Sequence, residues 1–190
     1  MPFVVVYDAN VLYPSCVRDL LLRVARAGLV QAKWTDEILD EVFRNIKANR
    51  PDLDHARLDR TRTLMNKAIA DVLVTGYEPL IEVLDLPDPD DRHVLAAAIK
   101  SSAQVIVTEN VKHFPPERLK AWTVETQGVD DFVLGLIDLD LPKVYAEVQL
   151  MASIWKNPPN CTVEDVLNAL EHAGLIESVA ALRERGPFRP

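Results

Sequence analysis

Polar side chains directly follow two apolar runs of this sequence. Asp8 and Asn10 come after the run VVVY, and Thr108 and Asn110 come after the run VIV. Uninterrupted β-branched runs of this kind are typical of central strands in a parallel sheet, which is covered on both faces. Because ligands of such sheets bind beyond the carboxyl ends of the strands, the four side chains are candidates for one binding site.

Three further aspartates are crowded into the segment LPDPDDRHVLAAAIK, directly before an apolar helical run. Asp88 at the cap and Pro89 at the first helical position are a favoured start of a helix. One carboxylate is enough for that start, so Asp90 and Asp91 need another explanation. The simplest alternative is a favourable interaction with the helix dipole, worth about 0.3–1 kcal/mol for each acid.

Carboxylates that converge at one edge of a sheet repel one another, which raises their pKa values unless a cation neutralises them. Asp8, Asp91 and Asn110 all fall at predicted strand-exit or helix-entry positions. A set of oxygen ligands without clustered Cys or His favours Mg²⁺ or Mn²⁺ over zinc. The chemistry of such a site is metal-assisted phosphodiester hydrolysis, in which a bound water becomes acidic enough to attack in line.

The elements that would hold these residues alternate between strands and helices, which predicts an α/β fold with a mostly parallel central sheet. Thr35 is expected to cap one of the helices. The segment PLIEVLDL is expected to be extended, and apolar residues at helical spacing predict a helix that Gly76 closes. The strands are predicted near residues 3–7, 29–34, 104–110 and 123–126, and the helices near residues 14–28, 36–50, 58–73, 89–100 and 116–122.

The pattern of elements changes after about residue 139. The segment PKVYAEVQLMASIW has an apolar helical face, and KNPPN is expected to link it to the next helix. That next helix begins with Thr162 and Asp165 in a capping-box arrangement, and LIESVAALRERG is expected to be the last helix. We therefore predict one domain over residues 1–138 and a small helical extension over residues 139–190.

The segments VVVYDANVLYPS, EILDEV, PDPDDRHVLAAAIKSSAQVIVTEN and HFP resemble, in order and spacing, the PIN-domain ribonucleases. More narrowly, the chain up to about residue 135 is similar to VapC-type toxins of bacterial toxin–antitoxin pairs. One branch of those toxins also has a helical C-terminal extension. The resemblance implies a PIN-like, Rossmann-like three-layer fold and an endoribonuclease that depends on Mg²⁺ or Mn²⁺. It also implies an RNA substrate, a cognate antitoxin and a homodimer.

The resemblance assigns a pocket of four acids. Asp8 corresponds to the first acid, Glu41 to the second and Asp91 to the third. Thr108 and Asn110 match the final T-x-D/N element, in which many relatives have aspartate where this chain has Asn110. The resemblance therefore implies a metal site in which one ligand has lost its charge.

Further residues near these acids are second candidates. Asp88 and Asp90, together with Asn110, are second-line metal ligands, because neighbouring acids could compensate for the amide. Asn10 and Thr108 are candidates for contacts with a substrate phosphate.

Basic residues and histidines give weaker signals. Arg44 and Lys47 lie along one predicted helix and could contact an RNA backbone, although basic residues on helices more often face solvent. His93 and His113 resemble neither a catalytic pair nor a zinc site, and His93 is expected to pack on its helix.

Composition limits the function classes. The net charge of −8 and the pI of about 5.0 exclude a generic binder of polyanions. Cys16 and Cys161 have no CxxC spacing, which indicates a reducing compartment. Neither a signal peptide nor a membrane span is visible in the sequence, so we expect a soluble cytoplasmic protein.

Two other functions remain open. One is a degenerate PIN module that binds RNA or a protein partner without cutting. Asn110 supports this alternative, because many relatives have aspartate at that position. The other is a different metal phosphohydrolase, such as a phosphatase, although the absence of a DxDxT element after the first strand argues against one major class of these enzymes. A Rossmann dehydrogenase is disfavoured because no GxGxxG follows the first strand.

Overall fold

The computed structural model describes residues 3–156 and 158–186. Its strands form one parallel sheet in the order β2-β1-β3-β4. This arrangement confirms the predicted α/β fold. The strands are β1 (Val4–Tyr7), β2 (Gln31–Lys33), β3 (Val105–Val107) and β4 (Glu125–Gln127).

Helices flank the sheet and continue beyond it. No helix in the described part of the chain is long and apolar enough to cross a membrane. Single 3₁₀ turns cover Pro89–Asp91, Val111–His113 and Lys120–Trp122. The α-helices are α1 (Ala9–Leu12), α2 (Ser15–Arg26), α3 (Asp36–Asn49), α4 (His55–Ala68), α5 (Glu78–Ile81), α6 (Arg92–Ser101), α7 (Pro116–Leu119), α8 (Val129–Ile154), α9 (Val163–His172) and α10 (Ile176–Arg185).

The two central strands are buried on both faces. Consecutive residues of β1 and β3 are buried, although successive side chains of a strand point to opposite faces. In the register of the pair, Tyr7 lies beside Val107, and the backbone N–H of Asp8 donates to the carbonyl of Val107 at 3.1 Å. The residues that follow the two strands therefore lie side by side at the carboxyl edge of the sheet.

The helix predicted over residues 58–73 is shorter than expected, because α4 ends at Ala68. The next segment is extended and lies beside Trp34. The N–H of Trp34 donates to the carbonyl of Val72 at 3.2 Å, and the N–H of Val74 donates to the carbonyl of Trp34 at 2.9 Å. The prediction was wrong because this backbone pairs with Trp34 and cannot also continue a helix.

The extended conformation predicted for PLIEVLDL was also wrong at its beginning, where the structure has α5. Pro79 stands in the first turn of this helix. The missing N–H of proline costs nothing there, because the first N–H groups of a helix have no partner within the helix. Leu84 and Leu86, which follow α5, are buried.

The long helix α8 is bent where the C-terminal extension was predicted to begin. Asp140 has non-helical backbone angles, and Pro142 follows it inside the helix. The Asp140 carboxylate accepts the N–H of Lys143 at 3.0 Å, so the second half of α8 has its own N-terminal cap. The predicted domain boundary at residues 138–139 stays a prediction, since one helix runs through it.

The C-terminal helices pack against the rest of the chain. The capping box of α9 is confirmed, with Thr162 and Asp165 each accepting a hydrogen bond from the other's backbone N–H. Trp155 donates its indole N–H to Asp19 of α2 at 3.0 Å. Of the predicted KNPPN linker, Asn157 lies outside the described residues.

Asp130 of α8 holds the beginning of α10. Its carboxylate accepts the N–H of Glu177 at 2.8 Å and the N–H of Ser178 at 2.9 Å. We expect Asp130→Ala to lower the free energy of unfolding by about 1–2 kcal/mol, the usual effect of losing a helix cap. Urea denaturation measures this loss. The exposed neighbour Asp131 is the control, and an equal loss in Asp131→Ala would contradict the capping role.

Candidate active site

Asp8 is held by hydrogen bonds at the junction of β1 and α1. Its side chain is buried, and the residue is only 3% exposed. One carboxylate oxygen accepts the N–H of Ala9 at 2.7 Å. The other oxygen accepts the side-chain amide of Asn10 and the hydroxyl of Thr108, both at 2.7 Å. These three donors fix the orientation of the carboxylate.

Thr108 connects the ends of the two central strands. Its fully buried hydroxyl donates to Asp8 and accepts the N–H of Asn110 and the amide of Asn10, both at 3.0 Å. The side-chain oxygen of Asn10, Oδ1, accepts the backbone N–H of Glu109 at 3.0 Å. Asn10 and Thr108, which the sequence suggested as phosphate contacts, thus form internal hydrogen bonds that support Asp8.

Replacing Thr108 tests this network. Thr108→Val keeps the shape of the side chain but leaves the Asn110 N–H and an Asp8 oxygen each short of a hydrogen bond. We expect the free energy of unfolding to fall by about 1–3 kcal/mol, the cost of unpaired buried polar groups. Urea denaturation measures it, with the half-buried Thr126→Val of β4 as control. Similar losses in the two variants would mean that the network contributes no particular stability.

A cleft of about 590 Å³ opens beside this network. Its lining includes Arg44, Asn110 and two histidines, His93 and His113. Six carboxylates line it: Glu37, Asp40 and Glu41 from α3, and Asp88, Asp90 and Asp91 from the turn before α6.

A larger cavity, of about 820 Å³, lies elsewhere, beside α7 and β4. It contacts Gln104, Val105 and Glu125, which lie at the amino ends of β3 and β4. Parallel sheets bind ligands at the opposite, carboxyl end. We therefore assign the chemistry to the smaller, acidic cleft.

The acids of the site interact through their charges. Burial raises the pKa of Asp8, the charge of Asp91 adds to the increase, and the hydrogen bonds that Asp8 accepts oppose it. Burial and then the charge of Asp8 raise the pKa of Glu41, while His93 and Arg44 act in the opposite direction. A bound cation would stabilise the ionised forms of these acids, so the residues present fit a divalent metal.

The turn before α6 divides its three aspartates into different environments. Asp88 is the cap, as predicted, since its carboxylate accepts the N–H of Asp90 at 3.0 Å and Pro89 follows it. The Asp91 side chain is only 16% exposed and lies 2.7 Å from His113. Asp90 is exposed. Asp91 is therefore the aspartate of this turn that is held in place within the cleft.

His113 was left out of the site by the sequence analysis, and the structure places it in the cleft. It ends the 3₁₀ turn that follows Asn110. Its Nδ1 is 2.7 Å from Asp91 Oδ2 and 3.7 Å from Asp88 Oδ2. The available signal in the sequence was its place in the turn directly after β3, within the HFP segment. Asp88 and Asp91, which it contacts, lie more than twenty residues earlier in the chain, so local spacing does not indicate the contact.

The two basic candidates of α3 have different environments. Arg44 lines the cleft. Lys47 donates to Asp59 of α4 at 2.7 Å, and the two side chains form a partly exposed ion pair. Arg44 is therefore the better positioned of the two for a phosphate in the cleft.

Comparison with known proteins agrees with this architecture. A family model described as PIN domain matches residues 4–112, and a model described as VapC50 C-terminal domain matches residues 129–184. A protein of Mycobacterium tuberculosis (strain ATCC 25618 / H37Rv), "Putative ribonuclease VapC50", is 40% identical over 95 residues. That match covers 50% of this chain and 55% of the relative, so it spans about half the length of each.

No solved structure matches the chain. The PIN-domain model, however, covers more than half of the 190 residues and includes three of the four strands. The acids Asp8, Glu41 and Asp91 all lie within the matched residues. The chain therefore belongs to the PIN-domain family, and its C-terminal region is similar to the VapC50 C-terminal domain.

Proposed function

We propose that this protein is a divalent-metal-dependent endoribonuclease and the toxin of a toxin–antitoxin pair. The observation that carries the proposal is an acidic cleft beside the carboxyl edge of a PIN-type sheet, lined by Glu41 and Asp91, with the buried carboxylate of Asp8 held at that edge. Burial is the largest cause of the raised pKa values of Asp8 and Glu41, and the charge of Asp91 adds to both increases, which is typical of acids at functional sites. The name of the mycobacterial relative, "Putative ribonuclease VapC50", supports RNA as the substrate.

The residues of the cleft would hold the cation. Asp8, Glu41 and Asp91 are the proposed metal ligands, and Asn110 takes the fourth position with a neutral oxygen. Asp88 is a second-line ligand, whereas Asp90, the other second-line candidate from the sequence, is exposed and is expected to contribute little. When bound, Mg²⁺ or Mn²⁺ would activate a water molecule and stabilise the charge that develops on the scissile phosphate.

The chain itself supplies orientation and a place for a proton. Asp8 cannot turn away, since three donors hold its carboxylate. Glu41 lies in the cleft, where its carboxylate is the proposed acceptor of a proton from the attacking water. Arg44 is the proposed contact for a neighbouring phosphate of the RNA.

The acidic surface of the cleft suggests how an antitoxin would inhibit it. A basic segment of the partner, especially one with arginine, would be attracted by the six carboxylates and would compete with the cation. We also propose that the protein forms a homodimer and acts in the cytoplasm, as the resemblance to VapC-type toxins implies.

Cleavage of total cellular RNA by the purified protein tests the proposed function. The reaction is run with Mn²⁺, with Mg²⁺ and with EDTA, and Mn²⁺ binding is measured in parallel by calorimetry. We expect discrete RNA fragments with metal and none with EDTA. If the metal binds and no RNA is cut, the endoribonuclease proposal fails.

That failure would favour a second candidate, a PIN module that binds RNA or a protein without cutting. Asn110 supports this alternative, because an amide in the cleft replaces a possible fourth carboxylate. Asn110→Asp distinguishes the two functions. A gain of cleavage in this variant would show that the missing charge had made the natural chain inactive.

A further inference from the structure

We propose that His113 is a metal ligand, and that with Asp88 and Asp91 it forms a mixed nitrogen–oxygen site that favours Mn²⁺ over Mg²⁺. The sequence led to the opposite expectation of an all-oxygen set. The inference rests on the proposed function only for the presence of a divalent cation in this cleft.

The three side chains are close enough to bind one ion. His113 Nδ1 lies 2.7 Å from Asp91 Oδ2 and 3.7 Å from Asp88 Oδ2, and all three ligand atoms lie within 4.8 Å of one another. Ligands about 2.1 Å from an octahedral metal are about 3.0 Å apart when adjacent. Small side-chain adjustments would therefore bring all three residues onto one cation.

Two single turns hold these ligands. The backbone N–H of Asp91 donates to the carbonyl of Asp88 at 3.3 Å, and the N–H of His113 donates to the carbonyl of Asn110 at 2.8 Å. Phe114, directly after His113, is fully buried and anchors the second turn. The ligands are thus presented by short, internally bonded segments, which favours a preorganised site.

The charges around the site favour a cation. Among the described residues, the ion pairs of Asp88 and Asp91 involve only His113, and no lysine or arginine neutralises them. The Asp91 and His113 side chains are only 16% and 26% exposed. Water therefore screens these negative charges only in part, and a divalent ion would stabilise them.

A second observation on the same cleft points to a bound ligand. His93, another residue of the lining, is 7% exposed, and its Nδ1 has no hydrogen-bond partner within the described part of the chain. Its nearest carboxylate oxygen, on Glu37, is 3.8 Å away. Buried polar atoms nearly always have partners, and exceptions are typical of functional sites that bind ions or water.

The relative affinity for Mn²⁺ and Mg²⁺ distinguishes a histidine that binds the ion from one that only donates a hydrogen bond to Asp91. A histidine that only orients Asp91 would support Mg²⁺ and Mn²⁺ alike. A histidine that binds the ion directly favours Mn²⁺ over Mg²⁺, because a first-row transition metal accepts an imidazole nitrogen more readily than Mg²⁺, which is bound through oxygen.

Binding of Mn²⁺ to the metal-free full chain, followed by electron paramagnetic resonance, tests the proposal without RNA. The signal intensity of free Mn²⁺ measures the unbound concentration and so gives the dissociation constant of Mn²⁺. Displacement of Mn²⁺ by added Mg²⁺ gives the dissociation constant of Mg²⁺. Electron spin-echo envelope modulation detects nitrogen bound to Mn²⁺. We expect a nitrogen signal in the natural protein and none in His113→Ala. We also expect His113→Ala to lose at least about tenfold in Mn²⁺ affinity and less than about threefold in Mg²⁺ affinity.

Two further variants complete the test. His113→Asn can still donate a hydrogen bond to Asp91 but has no imidazole, so we expect it to lose the Mn²⁺ preference. His93→Gln removes the other histidine of the cleft, and we expect it to keep the nitrogen signal. Thermal melting establishes that each variant is folded.

The inference is overturned if Mn²⁺ does not bind, if bound Mn²⁺ shows no nitrogen signal, or if the signal persists in His113→Ala. It is also overturned if His113→Asn keeps the full Mn²⁺ preference, since His113 would then only orient Asp91. RNA cleavage is a separate result. Nitrogen-bound Mn²⁺ without cleavage would leave the inference standing and contradict the proposed function.

Discussion

The Asp8→Asn protein is expected to lose RNA cleavage by a factor on the order of 10³ or more, while remaining as stable as the natural chain or more so. The loss follows from removing the charge with which Asp8, held by three hydrogen bonds beside the cleft, would bind the proposed cation. Asparagine has nearly the same shape as aspartate. It can still accept the N–H of Ala9, and the Thr108 hydroxyl can rotate to suit the new amide. The amide of Asn10, which donates to the second Asp8 oxygen, has to turn over and leave the exposed N–H of Glu109 to water.

The stability of this variant follows from the direction of the pKa shift. Burial raises the pKa of Asp8 above its ordinary value of 3.8. A carboxyl group with a raised pKa in the folded state contributes stability below its unfolded pKa, and that stability is lost as the pH rises through the folded pKa. At neutral pH the ionised Asp8 therefore destabilises the fold, and an uncharged residue removes this effect.

Urea denaturation of both proteins at several pH values checks the expectation. Other carboxylates of the chain titrate in both proteins, so their contributions cancel in the difference. Relative to Asp8→Asn, the natural protein should lose stability as the pH rises from about 4 towards neutrality. A variant that is less stable by more than about 1 kcal/mol at pH 7 would contradict this, and would show that the network needs the charged carboxylate.

The neighbouring aspartates Asp90 and Asp91 are expected to differ strongly in their effects on RNA cleavage and on Mn²⁺ binding. We expect Asp91→Asn to reduce RNA cleavage on the order of 10²-fold or more and to weaken Mn²⁺ binding. We expect Asp90→Asn to change both by less than about threefold, because Asp90 is exposed. The Asp91 carboxylate is partly buried, lies against His113 and is close enough to Asp8 to raise its pKa.

Comparing the two variants also tests whether these acids serve only to interact with the helix dipole. Both aspartates lie just before α6, so both substitutions change the interaction with its helix dipole by a similar amount. A difference between the variants therefore reports on the cleft. Cleavage rates and Mn²⁺ titrations measure it, and equal losses in the two variants would mean that these acids act only at the start of the helix.

Local patterns in the sequence were sufficient for the strands, the caps and the parallel sheet. The β-branched runs before Asp8 and Thr108 form the central strands, and Thr35 and Asp88 cap their helices as expected. These features depend on residues a few positions apart, whose spacing the sequence displays directly. Because strands alternate with helices, the sequence also indicated that the polar residues would gather at the carboxyl edge of the sheet.

Tertiary structure decided the features that depend on distant partners. The apolar residues after Ala68 suit a helix by their spacing, but pairing with Trp34 makes them extended. The hydrogen bond between Asp8 and Thr108 joins residues 100 positions apart, and the contact between Asp91 and His113 joins residues 22 positions apart. The register of β1 beside β3 creates the first contact, and the packing of two single turns creates the second. The sequence by itself indicated the carboxylates that could bind a cation, whereas the tertiary structure decided which of them meet and placed His113 beside Asp91.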